Sequence, residues 1–103
     1  MAVMEISVVP IGTKSPSLSR YIADILKILE NEPDIKYQLT SMGTIIEAES
    51  AEKLLSVAGK MHDIPFSDEV KRVVTTIKID ERKDKELTMN GKIKSVEEKL
   101  KKG

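Results

Sequence analysis

Apolar and polar residues alternate along Val3-Met4-Glu5-Ile6-Ser7-Val8-Val9-Pro10, with Met4, Ile6 and Val8 on one side and Glu5, Ser7 and Val9 on the other. That period of two predicts a strand, ended by Pro10 and Gly12. The spacing then lengthens. Leu18, Tyr21, Ile22, Ile25 and Leu29 form the apolar stripe of a helix, with Ser15 as N-cap and Pro16 at the first helical position, where a missing amide hydrogen costs nothing. Asn31-Glu32-Pro33-Asp34 is a turn, because proline cannot continue a helix. Ile35 to Thr40 alternates again, Ser41-Met42-Gly43 reverses the chain, and Thr44 to Ala48 alternates back, which predicts a hairpin. Ser50 is a good N-cap for a second helix whose buried stripe reads Ala51, Leu54, Leu55, Ala58 and Met61. His62 to Asp68 is a loop stopped by Pro65 and anchored by Phe66. Arg72 to Asp80 is the clearest strand, with Val73, Thr75, Ile77 and Ile79 opposite Val74, Thr76 and Lys78. After a charged connector, Met89, Ile93, Val96 and Leu100 predict an amphipathic C-terminal helix.

The order β-α-β-β-α-β predicts an α+β, ferredoxin-like two-layer sandwich, with an antiparallel sheet and both helices on one face. Residues 1–86 form this domain, and residues 87–103 add a helix that docks on its own or a neighbouring subunit. The first and third strands lie side by side at the centre. Met4, Ile6, Val8, Tyr37, Leu39, Thr44, Ile46, Ala48, Val73, Thr75, Ile77 and Ile79 then face the helices. The other face mixes Val3, Val9, Ile45 and Val74 with Glu5, Ser7, Gln38, Thr40, Glu47 and Thr76, too apolar for a face that is only solvated. It is expected to be partly covered by the C-terminal helix or by another copy.

Composition narrows the function more than it defines it. In 103 residues, 17 basic side chains balance 17 acidic ones, so no net field draws the protein to nucleic acid or an anionic membrane. The chain has no cysteine and no apolar run of membrane length, which excludes disulfides and thiolate metal sites and points to a cytoplasmic protein. One small domain is expected to self-associate. The single histidine, His62, has no partnered nucleophile, and no cluster has metal-ligand spacing, so neither catalytic nor metal-binding residues are assigned. Glu47 is the anomaly: an acid on a central strand needs a base, a hydroxyl network or a ligand, and an ion pair with Lys36, Lys78 or Arg72 would serve as well as a site. Glu5 raises the same question. The serines near the first helix, Ser17 and Ser19 among them, serve either as caps or as polar ligand contacts. Tyr37 and Met42 could lie against a flat ring or simply pack.

Four blocks in order, Glu5 to Thr13, Ser17 to Tyr21, Ser41 to Ala48 and Arg72 to Arg82, resemble the thiamine-binding protein family, which is related to YkoF-like domains. The family pattern has a glycine before the Arg-Val strand, where this chain has Phe66-Ser67-Asp68-Glu69-Val70-Lys71. The resemblance implies a ferredoxin-like fold, assembly into dimers or tetramers, and binding of thiamine or its hydroxymethylpyrimidine moiety without turnover and with no required cofactor. An aminopyrimidine offers an amine donor and ring-nitrogen acceptors, which Glu5 or Glu47 and hydroxyls such as Ser7 and Thr44 can match, with Met42-Gly43 and Tyr37 beside the ring. The alternative is a regulatory or scaffold homo-oligomer with no small-molecule ligand.

Overall fold

A computed structural model describes residues 1–13, 19–85 and 88–102. The first alternation becomes β1 (Ala2–Ile11), in which Ala2, Met4 and Ile6 are buried and Glu5 is exposed. The chain continues through α1 (Ser19–Glu30), β2 (Lys36–Thr40), β3 (Gly43–Ala48), α2 (Ala51–Asp63), β4 (Arg72–Glu81) and α3 (Met89–Lys102). The predicted cap Ser15 and stripe residue Leu18 lie outside the described residues.

The four strands form one antiparallel sheet in the order β2-β3-β1-β4. β1 and β3 are central, as the split βαβ order requires. Their inward side chains Met4, Ile6, Ile46 and Ala48 meet Ile25 and Leu29 of α1 and Leu54, Val57, Ala58 and Met61 of α2. Two expected positions shift. Val57 is buried, while Leu55 is 54% exposed, because the stripe facing the sheet is Leu54, Val57, Ala58 and Met61, at helical spacings of three and four. The loop after α2 is anchored by Pro65 and Val70, both fully buried, and not by Phe66, which stands edge-on to His62 at 5.5 Å. Leu39 and Ile77 point to the helix side but stay half exposed, because β2 and β4 are the sheet's edges.

One ion cluster ties the helical layer to the first turn. Glu32 accepts Lys53 Nζ at 2.7 Å and Lys60 Nζ at 3.0 Å, and its side chain is only 8% exposed. These hydrogen bonds, the Lys53 one foremost, hold its carboxyl below the ordinary glutamate value.

α3 leaves the body on the face opposite α1 and α2. It meets its own subunit through its first turn, where the Met89 amide donates to Glu47 and Lys92 reaches Asp80 at 2.8 Å, while Ile93 borders the same groove as Val3 and Ile45 and stays half exposed. Beyond that turn Val96 and Leu100 are exposed. The expected cover of the open sheet face is therefore supplied by α3 at one end only.

Candidate functional site

The β2–β3 hairpin positions one candidate site. Thr40 pairs with Gly43 across a loop of Ser41 and Met42, and the Thr40 hydroxyl holds that loop. It donates to the Gly43 carbonyl at 2.9 Å and accepts the Gly43 amide at 3.1 Å. Gly43 is required by proximity: a Cβ there would lie 2.8 Å from the backbone oxygen of Ile6. The hairpin end can therefore press against β1. Pairing between the two strands stops at Ile6 and Thr44, so from Ser7 onward β1 is laddered to β4 alone. The edge of Ser7 to Pro10 on the hairpin side has no strand partner among the described residues.

A cleft of about 150 Å³ occupies this corner. Ser7, Val8 and Val9 line it from β1, Ile22 and Ile25 from α1, Leu39 to Thr44 from the hairpin, and Met61 from α2. Thr44 is buried at 6% exposure, whereas Met42 at the tip is 83% exposed. The walls are apolar, the polar groups are hydroxyls and backbone, and no carboxylate among the described residues lines the cleft. Such a lining suits a flat, neutral heteroaromatic ring read through its hydrogen-bonding edge.

The acids sit elsewhere. Glu47 is 5% exposed on the opposite sheet face, where its Oε2 accepts the Met89 amide at 2.9 Å, at the first residue of α3. Lys36 Nζ stands at 3.9 Å, but that lysine is 82% exposed and contributes little. The carboxylate thus answers the positive end of a helix. Glu5 is exposed in a groove of about 320 Å³ under α3, with Val3, Gln38, Ile45, Lys78, Asp80, Met89, Lys92 and Ile93.

Of the residues singled out in the sequence, Ser7, Met42, Gly43 and Thr44 come together at the hairpin cleft. Glu5 lies in the α3 groove, Glu47 is occupied at the start of α3, and Tyr37 packs against the core beside neither opening. Ser19 begins α1, and Ser17 lies outside the described residues. Sequence reasoning missed Thr40, whose signal was a hydroxyl three positions before a glycine across a tight turn. His62 bonds Thr75 Oγ1 through Nδ1 at 2.7 Å, a structural contact between α2 and β4. No group of three or more His, Asp or Glu among the described residues is placed to hold a metal ion.

The family model described as thiamine-binding protein matches residues 4–97. The "UPF0045 protein YqgV" of Bacillus subtilis is 47% identical over 97% of this chain and 98% of its own length. Protein MJ1052 of the archaeon Methanocaldococcus jannaschii has a crystal structure that superposes with a TM-score of 0.82, at 36% identity over 94% of this chain and 96% of that one. A Thermotoga maritima protein, provisionally assigned to thiamine biosynthesis or salvage, superposes at 0.74 over 92% of this chain and 97% of that one. Its 20% identity supports the shared fold alone.

Proposed function

The chain belongs to the thiamine-binding protein family, and from that membership we propose that it binds thiamine, or the hydroxymethylpyrimidine part of it, in the hairpin cleft and without turnover. One observation carries the reading: two distant blocks of sequence, Glu5 to Thr13 and Ser41 to Ala48, meet where β1 runs past its neighbour and leaves a strand edge beside a buried hydroxyl. A 4-aminopyrimidine presents a donor amine next to an acceptor ring nitrogen, the same pairing that a peptide edge offers. The edge of β1 can take that pair as it would take a strand, with the Thr44 hydroxyl reading a remaining polar position. Ile22 and Leu39 give the ring apolar walls, and Met42, unbranched and exposed, can close over it.

The α3 groove supports a second reading. Glu5 brings a carboxylate that could accept the amine or offset a thiazolium charge, and Gln38 lies beside it in a larger space. Calorimetric titration with thiamine and with hydroxymethylpyrimidine separates the two. If the hairpin cleft is the site, Thr44→Val leaves a buried ligand group unpaired and weakens binding roughly tenfold or more. Glu5→Gln then leaves affinity unchanged. The reverse pattern selects the α3 groove. No heat and no thermal shift with either compound at millimolar concentration would leave the ligand-free scaffold as the better account.

A further inference from the structure

The chain offers an oxidant few sulfur atoms. It has no cysteine, so the sulfur chemistry open to a peroxide is confined to its five methionines. Those five are very differently placed. Met4 and Met61 are buried at 0% and 1% exposure and Met1 and Met89 are half-buried, whereas Met42 is 83% exposed. A buried thioether meets an oxidant only when the structure around it opens, so exposure sets the order of reaction. The most exposed sulfur of the chain stands at the tip of the β2–β3 hairpin, where Met42 lines the hairpin cleft.

The tip itself is held by its backbone. The Met42 and Gly43 amides both donate to Thr40 Oγ1, at 3.3 and 3.1 Å, so the shape of the turn does not depend on the Met42 side chain. A change at the sulfur is therefore confined to the mouth of the cleft. Val8, Ile22, Ile25 and Leu39 give that cleft apolar walls, which match a thioether and offer nothing to a hydrated polar group.

We propose that Met42 is a peroxide-sensitive switch on the hairpin cleft: ligand binds well while it is a thioether and less well once it is a sulfoxide. The switch rests on the reading of that cleft as the ligand site. In the forward step the sulfur lone pair attacks one oxygen of hydrogen peroxide or an organic hydroperoxide. The O–O bond breaks, an S=O bond forms, and the proton passes to the departing oxygen, which leaves as water or an alcohol. In the reverse step a methionine sulfoxide reductase draws two electrons and two protons from a dithiol, which becomes a disulfide, and the sulfoxide oxygen leaves as water. As a thioether, Met42 covers a bound ring with an apolar, polarisable group. As a sulfoxide it carries a strong hydrogen-bond acceptor that stays in water, and the cover is lost.

The test treats the folded protein with a small excess of hydrogen peroxide, locates the added oxygen by peptide mass spectrometry, and titrates hydroxymethylpyrimidine calorimetrically before and after. Met42 should be oxidised first, Met1 and Met89 later, and Met4 and Met61 last. Affinity should fall about three- to tenfold as Met42 reacts. It should return after treatment with the two sulfoxide reductases, one for each epimer. Met42→Leu sets its own starting affinity, and that value should not move under the same peroxide treatment. Oxidation of Met1 or Met89 ahead of Met42, or an equal loss of affinity in treated Met42→Leu, would overturn the proposal. Undiminished binding with Met42 fully oxidised would overturn the switch alone, whereas no binding by the untreated protein would overturn the ligand reading and the switch with it.

Discussion

Glu47 shows how a residue that looks out of place in the sequence can be fixed by a partner far along the chain. Its carboxylate is nearly buried because a helix begins against it, and the amide it accepts belongs to Met89, 42 positions later. A charge-assisted hydrogen bond of this kind contributes about 1.5–3 kcal/mol. Glu47→Ala should therefore speed amide exchange across the first turn of α3 by about tenfold or more, while β1 and β3 stay protected, as hydrogen-exchange mass spectrometry can resolve. Gly43 is constrained in the opposite sense, by crowding. With the Ile6 oxygen 2.8 Å from any added Cβ, Gly43→Ala must push β3 away from β1. Its expected cost is about 1–3 kcal/mol in chemical denaturation, and the hairpin cleft should change shape with it. The glycine was visible in the sequence as a turn residue. The close approach that requires it was not, because that depends on how β3 registers against β1.

Among the elements, α2 and α3 start in the same way. Ser50 Oγ accepts the Lys53 amide at the start of α2, and Glu81 at the end of β4 accepts the Ala51 amide. Thr88 Oγ1 accepts the Gly91 amide at the start of α3, and Glu47 supplies the second acceptor. Each helix thus receives one local hydroxyl and one carboxylate from a strand, both at its positive end. The local half was legible, since Ser50 was recognised as a cap from sequence. The strand acids were not, because nothing local connects them to a helix. The Glu32 cluster links the turn after α1 to α2 and adds a pH dependence. Its folded pKa lies below the unfolded value, so the stabilisation is present above the ordinary glutamate range and is lost as pH falls through the lowered value. Glu32→Gln should therefore be less stable than the wild type at neutral pH and should lose less stability on acidification. Urea denaturation at pH 7 and near pH 3 checks both.

At the scale of the whole molecule, the alternating and helical periods were enough for the architecture: strand order, helical face and C-terminal helix all follow from residue spacing and the split βαβ rule. The errors were confined to places where spacing carries little information. Leu55 and Val57 sit near the boundary of the buried stripe of α2, and a single aromatic suggested Phe66 as an anchor where Pro65 and Val70 fill the space. The candidate site was legible only in part. Met42, Gly43 and Thr44 adjoin in sequence and remain together, but the two acids that drew attention lie on the far side of the sheet. Periodicity already placed Thr44 and Glu47 on opposite faces. What it could not show is that β1 outruns β3, and that this overhang leaves a cleft of about 150 Å³ beside the hairpin hydroxyls.

Amide chemical-shift mapping during titration with hydroxymethylpyrimidine tests the central claim most directly, because it locates the ligand without relying on any variant. Shifts concentrated at Ser7, Val8, Ile22 and Thr40 to Thr44 are the predicted result. Shifts concentrated instead at Val3, Glu5, Gln38 and Met89 to Ile93, or no shifts at saturating ligand, would contradict it.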